Sequence, residues 1–478
     1  MERRQPLRGG FPKKTILILS FLLMVSCSIR QYQKPEDPIS KDRSFAIEDS
    51  SRLKIAEPVE AWWSKFNDED LDSLINSALD HNLDIAVAVA NVRLTRAMLR
   101  EAGFNLFPII TAEGGYTYQR QSTKSGFPIL DRDIEIYNVG LNAIWEIDLF
   151  GRVSHAKKAA KATYQASFSD LNGAYVSVAS EAALTYMQLR GAQYRLDVAR
   201  KNVANQEDTY KLSKALTDEG SGSELDIARA EAQLQLTRSL IPPLQALVTA
   251  AINRLSVLTG QPPQTLDSWL TSEKPLPSLP TTVAVGDPVG MLRRRPDISR
   301  AERELAASVA RYNVTAVDFF PKVDILGSIG FAAKSFSDLF TPEAMTASAG
   351  PSITWAAFDL GRVKARVDAA DAETDAQLAA YQRTVLDALE EVSTSMSDFN
   401  REEERRQRLT QSAQSSARAV KLAHQRYDAG LDSFIDVLVA ERRLLEAQDL
   451  LAISDIQVAT NLINIYRALG GGWQVRNK

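Results

Sequence analysis

The sequence predicts an α+β protein built from two similar halves, each with two β-strands and one very long helix. The first observation is an internal repeat about 210 residues apart: the fifteen residues from Gly220 and the fifteen from Gly430 share six identities, where unrelated segments share about one. The second observation is two long stretches without proline, 151–218 and 361–428. The third is an alternation of apolar and polar residues, which occurs twice in each half.

The two proline-free stretches predict helical rods. Each has about 68 residues rich in Ala, Leu, Lys, Gln and Glu, which gives roughly 100 Å of helix. A glycine turn and a return helix follow each rod, at 223–259 and 433–469. Shorter helices, about 82–106 and 288–317, precede the strands, and their lengths predict that they stack end to end with the return helices. Pro242-Pro243 predicts a bend in the first return helix.

The alternating segments predict strands at about 109–120, 134–146, 322–333 and 347–358. The pattern fits a half-buried hairpin in water and also strands that cross a membrane. Four strands are too few for a membrane barrel, and lipid does not tolerate open strand edges. A membrane-spanning form therefore requires several copies, and three copies give twelve strands.

The composition excludes several classes of function. The chain is 45% hydrophobic and 24% charged with a net charge of −4, so it lacks the basic surface of a nucleic-acid binder. Its three histidines and one cysteine are scattered, which leaves no clustered metal site and no Cys/His pair. We therefore predict no enzyme activity, no catalytic residues, no metal and no cofactor.

The N-terminus predicts export and lipid attachment. Residues 1–26 read as a signal peptide, because the apolar stretch 16–25 follows basic residues and is too short to cross a membrane as a helix. Residues 24–27, Met-Val-Ser-Cys, resemble a lipobox that makes Cys27 a lipid-bearing N-terminus. The alternative is a stray cysteine near the cleavage site. Residues 27–60 read as an N-terminal tether.

Between Trp62 and Trp473 the chain resembles TolC/OprM-type outer-membrane efflux proteins, in particular the lipoprotein branch. The motifs that carry this resemblance are Trp62-Trp63, Arg294-Arg295-Pro296-Asp297-Ile298, Glu302, Phe320-Pro321-Lys322 and the segment from Ala468 to Trp473. It implies a homotrimer with a twelve-stranded β-barrel in the outer membrane and a long α-helical barrel in the periplasm. It also implies a passive exit duct for small molecules such as drugs, served by a periplasmic adaptor and an inner-membrane pump.

The resemblance also divides the chain. It implies a first repeat at 61–260, an equatorial linker at 261–287 and a second repeat at 288–478. Gly220 and Gly430 then mark the hairpin tips that face the adaptor.

A periplasmic gate is implied near these tips. The residues assigned to it are Asp226, Tyr427, Ile435, Asp436, Val439 and Arg442. Tyr427 and Asp226 align with a hydrogen-bonded pair that holds the two hairpins together, and Asp436 aligns with one of two carboxylate rings that bind cations. The alternative for both aspartates is a negative charge that stabilises a helix N-terminus.

The chain departs from the family pattern at two gate positions. Val439 occupies the second aspartate position, and Asp432 stands where some members have an arginine that locks the gate. Arg442 could pair with a carboxylate in its place. Two rival functions remain: a protein-secretion duct of the same fold, and a soluble periplasmic coiled-coil scaffold.

Overall fold

The fold comes from a computed structural model that describes residues 29–35, 52–54, 56, 60–122, 124, 132–220, 222–286, 290–291 and 294–474. Cys27 and the predicted signal peptide 1–26 lie outside the described residues. The described strands are β1 (Leu53–Lys54), β2 (Ile109–Arg120), β3 (Asp133–Ile147), β4 (Val283–Ala284), β5 (Lys322–Ala333) and β6 (Met345–Thr354). The described α-helices are α1 (Glu69–His81), α2 (Leu83–Phe104), α3 (Arg152–Asp218), α4 (Glu224–Arg238), α5 (Ile241–Leu258), α6 (Asp267–Leu270), α7 (Pro296–Ala316), α8 (Leu360–Asp428) and α9 (Phe434–Ala468).

These residues form two compact units. One unit contains the segments Val92–Ser167 and Ala301–Tyr381 together with the N-terminal segment up to Glu36, and it includes the large sheet. The other contains Asp37–Asn91, Phe168–Arg300 and Gln382–Lys478, and it includes the hairpin tips.

The long helices form as predicted. Helix α3 has 67 residues and α8 has 69, and each ends just before a glycine turn. The first return helix is interrupted at Ser239–Leu240, and Pro242 and Pro243 lie in the first turn of α5. Proline is tolerated there because the first N–H groups of a helix have no partner within it. The predicted bend is therefore a break between two helices.

The shorter helices meet end to end in each repeat. In the first repeat, the Asn82 side-chain amide donates to the carbonyl of Leu258 at 3.0 Å and also caps the start of α2. In the second, the guanidinium of Arg295 donates to the carbonyl of Ala468 at 2.6 Å, beside the start of α7. Each junction satisfies carbonyls that the end of a helix would leave unpaired.

The large sheet has the strand order β2-β3-β5-β6, and all its neighbours are antiparallel. Strands β3 and β5 join the two repeats, with Leu141 opposite Ile329. The outer edges of β2 and β6 have no strand partner among the described residues. The expected α+β class is confirmed, and the four predicted strands form this one sheet.

The two faces of this sheet differ in polarity. One face carries Leu141, Ile329 and Phe331, and the other carries Thr111, Asn142 and the hydrogen-bonded pair Ser328 and Ser348. Leu141 and Ile329 are about half exposed, so the apolar face is uncovered within one chain. This pattern matches membrane-spanning strands with a lipid face and a wet face.

The segment between the repeats packs in the second unit. Strand β4 pairs in parallel with β1, and Arg190 of α3 is fully buried beside this segment. The Arg190 guanidinium binds Asp70 at 2.8 Å and the carbonyl of Ser272 at 2.8 Å. Because a buried guanidinium needs partners for its donors, these bonds fix the segment against α1 and α3.

Candidate functional site at the hairpin tips

Each repeat ends in a tight turn between two antiparallel helices. Gly220 follows α3 with φ +77°, and Gly430 follows α8 with φ +70°. This left-handed conformation suits glycine, and the N–H of Leu431 reaches back to the carbonyl of Arg426 at 2.9 Å. No other atom would lie within 4 Å of a Cβ at either glycine, so the backbone conformation alone requires glycine here.

The two return helices begin with the same cap. The Ser223 hydroxyl bonds Asp226 at 2.6 Å, and the Ser433 hydroxyl bonds Asp436 at 2.6 Å. Asp436 also accepts the N–H of Ser433 at 3.1 Å, which completes a capping box. The N-cap residues are therefore Ser223 and Ser433, and each predicted gate aspartate bonds to one of them.

An apolar cluster holds the two hairpins together at their tips. Ala230 of α4 packs with Phe434 and Leu438 of α9, and the rings of Tyr427 and Phe434 lie 5.5 Å apart. Burial, followed by the negative charge of Asp226, raises the pKa of Tyr427. No hydrogen bond joins Tyr427 to Asp226 in this chain, so apolar packing supplies the contact between the hairpins at their tips.

The substituted position Asp432 has a partner within its own hairpin. Its carboxylate binds the guanidinium of Arg426 through two hydrogen bonds of 2.6 and 2.8 Å, across the turn at Gly430. The hydrogen bond from Arg426 lowers the pKa of Asp432. This ion pair connects the last turn of α8 to a residue just before the return helix α9. The sequence motifs did not predict this role for Arg426.

A buried carboxylate links three helices a little further from the tips. Glu441 of α9 is 7% exposed, and its Oε1 accepts from Thr209 of α3 at 2.9 Å and lies 3.1 Å from His424 of α8. Its Oε2 has no hydrogen-bond partner, nor has the buried Oε1 of Gln206. A cavity of about 300 Å³ is lined by both residues. Burial raises the pKa of Glu441, although Thr209 and then His424 act in the opposite direction.

The sequence motifs did not predict this cluster either. A signal was available, because Glu441 is one of the six identities between the repeats and is paired with Glu231. The two residues differ in environment: Glu231 is exposed, whereas Glu441 is buried. Sequence alone does not reveal that difference.

The remaining predicted gate residues lie at the surface of the single chain. Ile435 is 41% exposed, Val439 is partly buried and Arg442 is exposed. Among the described residues, Arg442 has no ion-pair partner in its own chain. These three side chains are available to other molecules.

The fold and these hairpins define a class: a membrane channel subunit that pairs a short amphipathic sheet with long helical hairpins. A family model described as "Outer membrane efflux protein" matches residues 74–261 and 288–471. The chain belongs to this family and is an outer-membrane channel of an efflux system.

Known proteins resemble it over nearly their whole lengths. The chain is 30% identical to outer membrane protein OprJ of Pseudomonas aeruginosa, over 95% of each chain. It is 29% identical to the probable efflux pump outer membrane protein TtgC of Pseudomonas putida, over 96% of this chain and 95% of that one.

Solved structures resemble it equally broadly. The outer-membrane channel OprN matches with a TM-score of 0.86 and 38% identity, over 93% of this chain and 99% of that one. The open state of the MtrE channel of Neisseria gonorrhoeae matches with a TM-score of 0.82 and 27% identity, over 93% of this chain and 98% of that one.

Proposed function

We propose that three copies of this chain close a twelve-stranded barrel that serves as a passive exit duct. The observation that carries the proposal is the four-stranded sheet, whose β2 and β6 edges are unpaired and whose apolar face is exposed. Backbone groups at an open edge cannot be satisfied in lipid, so each β2 edge must meet the β6 edge of the next copy.

The hairpin tips form the closed entrance of the duct in this proposal. The gate comprises Asp226, Tyr427, Ile435, Asp436, Val439 and Arg442. Three copies place three Asp436 carboxylates around one axis, where they favour cations. Opening must separate the two hairpins of each chain, so the packing of Ala230 against Phe434 and Leu438 resists it.

A periplasmic adaptor and an inner-membrane pump are the proposed partners. The adaptor contacts the tips at Gly220 and Gly430, where Leu225 is 57% and Leu431 is 68% exposed. Exposed apolar side chains at a tip favour contact with a protein partner. The pump supplies the energy, and the chain has no catalytic role of its own.

Small organic molecules are the proposed cargo. Relatives of similar length include a toluene efflux protein of Pseudomonas putida and a pyoverdine export protein of Pseudomonas aeruginosa. The signal peptide 1–26 and lipidation at Cys27 belong to the same proposal, as do the repeat boundaries 61–260 and 288–478 with the linker 261–287.

Conductance in planar lipid bilayers tests the closed entrance. The wild-type protein should conduct poorly, and Tyr427→Ala with Phe434→Ala should raise the conductance because the apolar contact between the hairpins is lost. The matched control is Tyr116→Ala with Phe336→Ala, which removes two rings from the strand-bearing unit. Unchanged conductance in a well-folded tip variant would refute the gate.

A further inference from the structure

A second cavity lies in the strand-bearing unit, where the N-terminal segment 29–35 packs against α3 and α7. Its volume is about 670 Å³. Its charged and titratable lining comes from Arg30, His155, Lys158, Lys161 and Arg303, and no carboxylate lines it. The proposed duct and gate do not use this cavity.

Two of its cations are not neutralised. Arg30 binds Asp371 at 2.5 Å, and Arg303 is paired with Glu302. Lys158 and Lys161 are exposed and have no carboxylate partner among the described residues. The cavity therefore carries an unbalanced positive charge, which favours an anion.

A ring nitrogen without a partner is also available in the cavity. Nδ1 of His155 is buried and has no hydrogen-bond partner. Burial, followed by the positive charge of Lys158, lowers the pKa of His155. A buried polar atom without a partner is costly, and an anion oxygen within reach would satisfy it.

The position of the cavity matches the surface of the membrane. Trp145 and Trp355 are exposed at the strand ends that lead into the helices, and exposed tryptophan marks the interface of a bilayer. Helix α3 begins at Arg152, so Lys158 and Lys161 lie about 9 and 14 Å along it. Long lysine side chains at this distance from the strand ends can extend toward the membrane interface.

The N-terminal segment also indicates that the cavity lies near the membrane surface. Ile29 lies two residues after Cys27, a separation of at most about 7 Å. If Cys27 carries lipid, as the proposed function holds, its acyl chains must enter the leaflet that faces the periplasm. The cavity that Ile29 lines then adjoins the headgroups of that leaflet.

We propose that this cavity binds the phosphate of an anionic phospholipid from the leaflet facing the periplasm. Lys158 and Lys161 supply the positive charge, and His155 donates a hydrogen bond through Nδ1. Ala162, Ala306 and Val309 give the wall its apolar part, against which the glycerol and the first methylenes pack. The inference rests on the membrane placement in the proposed function.

Native mass spectrometry of the full-length protein in detergent tests the site. Phosphatidylglycerol or phosphatidylethanolamine with identical acyl chains is added to the wild type and to Lys158→Gln with Lys161→Gln. The matched control is Lys211→Gln with Lys214→Gln, two exposed lysines with the same spacing near the other end of α3. Excess inorganic phosphate is added in a separate arm.

We expect the wild type to retain at least fivefold more phosphatidylglycerol than phosphatidylethanolamine, since one lysine near an anionic lipid accounts for about that factor. The Lys158 and Lys161 variant should lose this preference, and the control should keep it. Equal retention of both lipids, or an unchanged preference in the variant, would overturn the proposal. Displacement of the lipid by inorganic phosphate would assign the site to free anions and overturn it too.

The same spectra separate this inference from the proposed function. The mass of the complex reports whether three chains assemble, and the adduct masses report the lipid. Trimers without the preference refute only the lipid site, whereas the absence of trimers refutes the duct.

Discussion

The hydroxyl of Thr209 donates to Oε1 of Glu441 at 2.9 Å, and this bond ties the hairpin of the first repeat to that of the second. His424 contacts the same carboxylate oxygen at 3.1 Å, so α3, α8 and α9 meet at one group. Any movement that separates the hairpins must break or rearrange these contacts. Glu441 therefore stabilises the contact between the two hairpins, at the cost of burying a carboxyl group.

Glu441→Gln should flatten the pH dependence of tip stability. Because burial raises the pKa of Glu441, the folded tip holds a proton that the unfolded chain releases. The stability contributed by that proton is present below the ordinary pKa of glutamate and is lost as the pH rises through the raised folded pKa. Hydrogen exchange of α9 at several pH values, corrected for the intrinsic rate, measures the effect.

The matched control for this experiment is Glu446→Gln, on the same helix but exposed. It should leave the pH dependence unchanged, because an exposed carboxylate titrates alike in both states. If Glu441→Gln keeps the wild-type pH profile, the buried carboxylate does not set tip stability.

Substitutions at Asp436 should separate its charge from its cap. Asp436→Asn keeps an oxygen acceptor for the Ser433 N–H but removes the charge, so it should weaken the cation preference of the channel while the helix start stays intact. Asp436→Ala should also destabilise that start by about 1 kcal/mol. Ion selectivity in bilayers and hydrogen exchange at α9 give the two readouts.

Asp226→Asn is the comparison in the first repeat, because Asp226 accepts the same hydroxyl bond from its capping serine. It should leave ion selectivity unaltered. Identical selectivity of both asparagine variants and the wild type would leave capping as the only role of Asp436.

Alanine at either tip glycine should weaken the turn. Gly220→Ala and Gly430→Ala each force a residue with a Cβ into a left-handed conformation, which costs about 1 kcal/mol. Gly361→Ala is the control, since that glycine has open space around it and no positive φ. Faster hydrogen exchange in the last turns of α3 and α8 is expected for the tip variants alone, and equal exchange in all three would contradict this.

Cys27→Ser should abolish lipid attachment while assembly persists. The barrel strands supply the membrane-spanning surface, so the anchor is not required for insertion. Mass spectrometry of the N-terminal peptide measures lipid attachment, and the electrophoretic mobility of the unheated oligomer measures assembly. Loss of the oligomer together with the lipid would show that assembly depends on the anchor.

The repeat and its periodicity predicted the fold well because they depend on local chemistry. Long stretches without proline that are rich in Ala, Leu, Lys, Gln and Glu favour long helices. The alternation in 134–146 fits a strand whose observed bounds are Asp133–Ile147. The same reasoning predicted only a bend near Pro242, because sequence does not show whether a helix restarts after a break.

The candidate site was less predictable because its contacts are long-range. Family resemblance pointed to a Tyr427 and Asp226 hydrogen bond, but the packing of Ala230 against Phe434 and Leu438 joins the hairpin tips in this chain. The pairing of Arg426 with Asp432 follows from the geometry of the turn. The burial of Glu441 depends on three helices that are distant in sequence, so no local pattern indicates it.

Cysteine cross-linking between the two sheet edges tests the central claim most directly. In a Cys27→Ser background, which removes the only cysteine, Thr111→Cys on β2 is combined in turn with Thr346→Cys, Ser348→Cys or Ser352→Cys on β6. These positions share the polar face of the sheet. A closed trimeric barrel predicts covalent dimers and trimers, with nothing larger, for the combination in register. Cross-linked products of more than three chains, or only monomers in every combination, would contradict it.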